Sequence, residues 1–160
     1  MSSFLPTLAR WLHTIALSLW LGGLVAIGAL VAPVAFHVTR ILSLPNAVAG
    51  DIVGGSLHLF NFVCYACGVL LLLSNALLLP HADRRWAVAC LVTASLLLAS
   101  ALCLGLSITP SLDAARSLGN MADFDRMHHQ YEQISTLFQF PLLLLLAWFA
   151  SLRDTSLRKM

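Results

Sequence analysis

The chain has 160 residues, 59% of them apolar, and only nine Lys plus Arg and seven Asp plus Glu. Charged residues make up 10% of it, against about 25% in soluble domains. That excludes a nucleic-acid-binding module, a disordered chain and a secreted disulfide scaffold, and the net charge of +2 is too small to define a partner.

Four stretches carry no Asp, Glu, Lys or Arg: 11–39, 52–82, 86–112 and 133–152. A helix rises 1.5 Å per residue and the hydrocarbon core of a bilayer is about 30 Å thick, so about 20 apolar residues cross it. The expectation is an all-α integral membrane four-helix bundle forming one domain over 1–160, with spans at about 8–37, 57–79, 86–109 and 133–152. The first stretch is uncharged for 29 positions, longer than the roughly 7 to 15 of a secretory signal core, and reads as a retained helix. Pro33 should kink its outer end. Gly22, Ala26, Ala29 and Pro33 share one face, where small side chains let helix backbones approach closely. Pro45 and Asn46 offer a helix start and Gly54-Gly55 a break, which predicts a short outer interfacial helix before the second span. That span ends at Pro80, and a six-residue turn to Trp86 makes spans two and three an antiparallel hairpin. The third span ends at Thr109-Pro110. Gly119-Asn120 divides the polar stretch 111–133 into two amphipathic pieces, and Pro141 predicts a second kink in the fourth span.

Topology follows from the basic residues. Arg10, Arg84, Arg85, Arg153, Arg158 and Lys159 fall on one side of a four-span chain, and Arg40, Arg116 and Arg126 on the other. Six against three places both termini in the cytoplasm of a bacterial inner membrane by the positive-inside rule. Asp51, Asp113, Asp123, Asp125 and Glu132 fall on the outer side.

Polar side chains at membrane depth should face the bundle interior. On the second span His58, Asn61, Tyr65, Gly68, Leu72 and Asn75 recur in alternating steps of three and four. On the third the same alternation selects Ala89, Thr93, Leu96, Ser100, Cys103 and Ser107, and the fourth adds Ser135 and Gln139. Folding the hairpin brings Ser107 level with His58, Ser100 with Tyr65 and Thr93 with Asn75. This seam reads as interhelical hydrogen bonding, or alternatively as a polar pathway. With one intramembrane Gln, two Asn and no buried acid or base, proton-coupled transport is disfavoured.

His37, His58, His128 and His129 lie toward the outer face and, with nearby carboxylates, are candidate ligands for a divalent metal or for haem. His13 shares a face with Trp20 and suits a structural role. Cys64, Cys67, Cys90 and Cys103 lie inside predicted spans, and most of them read as small buried residues. Cys64-x-x-Cys67 has the spacing of a redox pair, but a bilayer disfavours thiolates.

Trp20-Leu21-Gly22-Gly23, Ala32-Pro33 with Phe36, Ala49-Gly50, Thr109-Pro110 and Phe124-x-x-Met127-His128 follow one another along nearly the whole chain. In this ordered set the chain resembles the transmembrane protein 205-like family, whose bacterial members form a domain of unknown function. Family members follow the histidine with Ser and then Asn, where Tyr131 and Ser135 stand here. A weaker similarity, in the Trp-x-Gly-Gly helix and scattered His, is to copper-resistance membrane domains. The main resemblance implies a four-helix integral membrane protein and brings no reaction, substrate or cofactor. The leading functional expectation is therefore a non-enzymatic membrane protein that acts by assembly with itself or with membrane partners, through the small-residue face and the seam. A haem- or metal-binding protein using the outer histidines is one alternative, and a small oligomeric transporter or channel another.

Overall fold

The structure is a computed structural model that describes residues 4–157, with side chains through Asp154. Arg158 and Lys159, two of the residues behind the charge bias, lie outside the described residues. Four antiparallel helices follow one another: α1 (Phe4–Ile41), α2 (Asn46–His81), α3 (Arg84–Ser117) and α4 (Met121–Asp154). Among the described residues there is no strand. All four are long and apolar enough to cross a membrane, and this is a multi-pass membrane protein. At 34 to 38 residues each is about 51–57 Å long, well beyond the roughly 30 Å of hydrocarbon.

The excess length corrects several expected boundaries. Gly54-Gly55 does not break the chain: α2 starts at Asn46, directly after the extended Pro45, and runs through both glycines. No separate interfacial helix precedes it. Thr109-Pro110 does not end α3, which continues to Ser117. The two amphipathic pieces flanking Gly119-Asn120 exist, but as the last turns of α3 and the first of α4. Between them Gly119 takes a φ of +67°, a left-handed conformation that glycine adopts without steric cost. Asn120 then caps α4, its Oδ1 accepting from the Asp123 N–H at 3.2 Å, as Asp83 caps α3 through the Arg85 N–H at 2.9 Å.

Three prolines inside helices are absorbed in one manner. A proline lacks the N–H of the helical ladder and its ring meets the carbonyl four residues back. Wide π-helical turns at Ile27–Val31, Leu104–Ile108 and Ile134–Gln139 precede Pro33, Pro110 and Pro141. In each case the residue before the proline donates its N–H five residues back: Ala32 to Ile27, Thr109 to Leu104 and Phe140 to Ser135. The kinks expected at Pro33 and Pro141 are thus widened turns, and Pro110 has a third.

Helices pack in chain order, α1 on α2, α2 on α3 and α3 on α4, while the first part of α1 (Phe4–Ala26) meets the part of α4 that follows Gln139. With no water to expel between helices in lipid, close contact supplies much of the association. Gly23 admits the Phe60 ring and Gly105 admits the Tyr65 phenol; a Cβ at either position would overlap that ring. The Tyr65–Gly105 contact and the Asn61–Thr109 hydrogen bond set α2 against α3 about one turn away from the expected pairing of Tyr65 with Ser100. Along α3 the buried positions are Ala87, Cys90, Thr93, Ala94, Leu97, Ser100, Ala101, Leu104 and Ile108, a face that keeps Thr93 and Ser100 of the expected stripe and extends one position on from it. Small Ala and Cys side chains there let α3 touch both α2 and α4.

Candidate functional site

At the end carrying both termini and the α2–α3 turn, polar groups from several helices meet in a closed interior. Arg153 of α4 is only 1% exposed. Its Nη1 donates to Asn75 Oδ1 of α2 at 2.6 Å and its Nε to Asp154 Oδ1 at 3.1 Å. Arg10 Nε of α1 stands 3.9 Å from the same carboxylate oxygen. His13 of α1 is buried, and neither ring nitrogen has a hydrogen-bond partner among the described residues. A base and a cation therefore sit inside the bundle, which corrects the expectation of an interior without ionisable groups. Sequence reasoning counted Arg153 as a flanking charge and missed it here. The signal existed, because Gln139, Leu143, Leu146, Ala150 and Arg153 alternate by four and three and are all buried. Ala9, His13, Ala16 and Trp20 do the same on α1.

Above this knot the seam is partly internal. Asn61 Nδ2 donates to Thr109 Oγ1 at 3.3 Å, and Gln139 Nε2 to Ser100 Oγ at 3.1 Å, tying α2 to α3 and α3 to α4. The Thr93 hydroxyl bonds to the Ala89 carbonyl at 2.8 Å. Tyr65 and Ser135 are half-buried, whereas Ser107, Leu96 and Cys103 face outward. Cys64, Cys67 and Cys90 are buried free thiols and Cys103 is exposed, in line with the expectation that most of the four are buried.

At the opposite end α1 and α4 diverge. Between them lies a cleft of about 950 Å³ that reaches from Leu24 to Phe36 on α1 and from Met121 to Phe140 on α4, with α2 and α3 behind. Its walls are mainly apolar, and its few polar groups gather toward the outer turns, the usual composition of a ligand pocket. His58 Nε2 lies 2.9 Å from Asp113 Oδ2, joining α2 to α3. Arg116 reaches across the same joint, Nη1 to Asp51 Oδ1 at 2.9 Å and Nη2 to the Ala47 carbonyl at 2.8 Å. This anchoring holds the first turns of α2 helical where a break was expected. On the facing wall His128 stacks on Phe124, ring centroids 5.8 Å apart, and its Nε2 is 3.3 Å from Glu132 Oε1.

The four outer histidines are thereby divided. His58 and His128 line the cleft on different walls, each with its own carboxylate. His129 pairs with Gln133 at 3.0 Å, and His37 is exposed on α1. Among the described residues no three His, Cys, Asp or Glu side chains come close enough to hold a metal ion. The small-residue face is not used inside the bundle either: Gly22, Ala29 and Pro33 are exposed and Ala26 half-buried. Gly23, its neighbour, makes the close helix contact instead.

Residues 15–120 match a family described as Domain of unknown function (DUF4149). The match runs from α1 through α3 and ends at the capping Asn120. No curated protein and no solved structure matches the chain.

Proposed function

The chain belongs to the DUF4149 family, and from that premise we propose an inner-membrane protein, both termini in the cytoplasm, that acts by assembly through the lipid-facing side of α1. One observation carries the reading. Of the most apolar window of α1 only 11% is buried, against 39% for α2 and 44% for α3. Within that open side Gly22 has no heavy atom within 4 Å of where a Cβ would sit, and Ala26 and Ala29 follow it at helical spacing. Such a stripe lets a second backbone come close enough for dense van der Waals contact. The buried stripe of Ala9, His13, Ala16 and Trp20 lies roughly opposite, so a partner can dock without disturbing the bundle. Arg10, Arg84 and Arg85 on the terminal end support the orientation, and the ordered motifs beginning at Trp20-Leu21-Gly22-Gly23 support a place among transmembrane protein 205-like proteins. The occupant of the face is a second copy or a partner's transmembrane helix.

The test is energy transfer between labelled copies in liposomes, paired with photocrosslinking from position 22 in cell membranes. Self-transfer, or one discrete crosslinked partner, is expected, and Gly22→Leu with Ala26→Leu should abolish it. Neither signal in the unsubstituted protein would end the assembly reading.

A further inference from the structure

We propose that the outer hairpin formed by the end of α3 and the start of α4, residues 109–133, pivots as one unit and sets the width of the cleft beside α1. The inference goes beyond assembly and does not involve the exposed stripe of α1.

Hinges come first. The hairpin joins the rest of the bundle at two points, and each is a π-helical turn followed by a proline: Leu104–Ile108 before Pro110, and Ile134–Gln139 before Pro141. A proline takes one bond out of the helical ladder, and prolines and π-helical turns are where helices bend. Along their helices the two turns lie about 17 Å and about 23 Å from Gly119 at 1.5 Å per residue, so both sit near one level of the bundle and a single axis passes through them. Helix α2, on which the hairpin rests, is α-helical without such a turn from Asn46 to Leu78.

The packing divides at the same level. The buried members of the main apolar core reach only to Ala101 on α3 and begin at Leu143 on α4. A second, smaller cluster of Leu104, Ile108 and Tyr131, with Leu57 of α2 against it, surrounds the hinges. Between them, over 109–133, the buried residues are Thr109, Ala115 and Tyr131. A segment with so few packed side chains opens at lower cost than the core.

The rotation has a direction and a latch. Because the helices pack in chain order and α1 meets α4, an axis through the α3 and α4 hinges runs along one side of the bundle. Turning about it carries the hairpin away from α1 and α2 together. On the α1 side the cleft already separates them. On the α2 side the polar links are His58 with Asp113, and Arg116 with Asp51 and the Ala47 carbonyl. Their side chains touch solvent and exchange partners for water at little cost. The Asn61–Thr109 bond and the Tyr65–Gly105 contact sit at the axis, where rotation displaces them least.

The test is electron–electron distance measurement on the full chain in nanodiscs, with labelled protein diluted by unlabelled so that distances lie within one copy. Paramagnetic labels ride on keto-bearing residues, which leaves the cysteines untouched. One pair joins Leu59 of α2 to Leu118 at the hairpin tip; the other joins Leu73 of α2 to Val92 of α3, below the hinges. All four positions are exposed. The outer distance distribution should be clearly wider than the inner one. His58→Ala with Arg116→Ala should lengthen the outer mean by several ångströms and leave the inner mean in place. Pro110→Ala with Pro141→Ala should narrow the outer distribution to the inner width, because each alanine restores a backbone N–H to its hinge. Equal widths in the unsubstituted protein would overturn the proposal, and that comparison decides the matter if the variants fail to fold. An inner distance that lengthens along with the outer one, or an outer width indifferent to both prolines, would overturn it too.

Discussion

The two ends of this bundle solve the problem of polar groups near a membrane in opposite ways. At the terminal end, Arg153 is buried against Asn75 and Asp154, and α1 closes onto α4. At the other end the hydrogen-bonded His58–Asp113 pair and the Arg116–Asp51 ion pair keep much of their surface in contact with solvent, and α1 and α4 stand apart around a cleft. The proline-linked π-helical turns of α1 and α4 fall within the stretches that line the cleft, and that of α3 immediately precedes the lining residue Thr109. A buried cation fixes its partners because any rearrangement strands a charge in a low-dielectric interior. An exposed pair can exchange its partner for water at little cost. The closed end therefore holds the bundle together, and the open end is the one that can rearrange at little cost.

That contrast breaks most easily at Asn75. Asn75→Leu removes the acceptor of a short hydrogen bond from a buried guanidinium. Bonds to charged groups contribute about 1.5–3 kcal/mol, and a loss of that size is expected in SDS or thermal unfolding of the detergent-solubilised protein. A loss no greater than the roughly 0.6 kcal/mol average of membrane hydrogen bonds would show the closed end to be no tighter than the rest. Gly23→Ala comes next. Its Cβ would overlap the buried Phe60 ring, and overpacking costs about 1–3 kcal/mol; the lower part of that range is expected, since the ring can shift slightly. Phe60→Leu should rescue the variant, whereas a structural fault elsewhere would leave the double variant as weak as the single.

The four spans were legible because charge is absent from long stretches and lipid tolerates little else. Helix ends were not legible by the same route, because hydropathy reports where hydrocarbon stops rather than where hydrogen bonding stops. Gly54-Gly55 reads as a break in isolation; in the bundle Arg116 holds the preceding turns through Asp51 and the Ala47 carbonyl. Thr109-Pro110 reads as a stop, yet the Thr109 N–H and hydroxyl both bond to the Leu104 carbonyl, which absorbs the proline and lets α3 continue. The cleft was half visible: His58 and His128 were singled out, but their separate carboxylate partners depend on which walls α2, α3 and α4 form, and no spacing along the chain encodes that. Arg153 shows the reverse case. Its place in the four-and-three alternation from Gln139 was readable, and its charge drew attention to topology instead.

Two smaller substitutions sharpen the comparison. Gln139→Leu removes the bond to Ser100 between α3 and α4, and its expected cost is about 0.6 kcal/mol, the ordinary value for neutral partners in a membrane interior. His58→Ala should cost least. Its partner Asp113 has a side chain 58% exposed and its own is 48% exposed, a setting in which ion pairs contribute about 0–1 kcal/mol. A shift of a few tenths is expected in the same unfolding assay, run at a pH acidic enough for imidazole to carry its proton, and it should shrink further as salt is raised, because exposed charges are screened over about 8–10 Å at physiological ionic strength. Asn75→Leu, measured alongside, should show no such salt dependence, since its guanidinium is shielded from solvent. If His58→Ala instead matched Asn75→Leu in size and resisted salt, the outer joint would be as rigid as the inner one, and the cleft could not be the compliant part of the molecule.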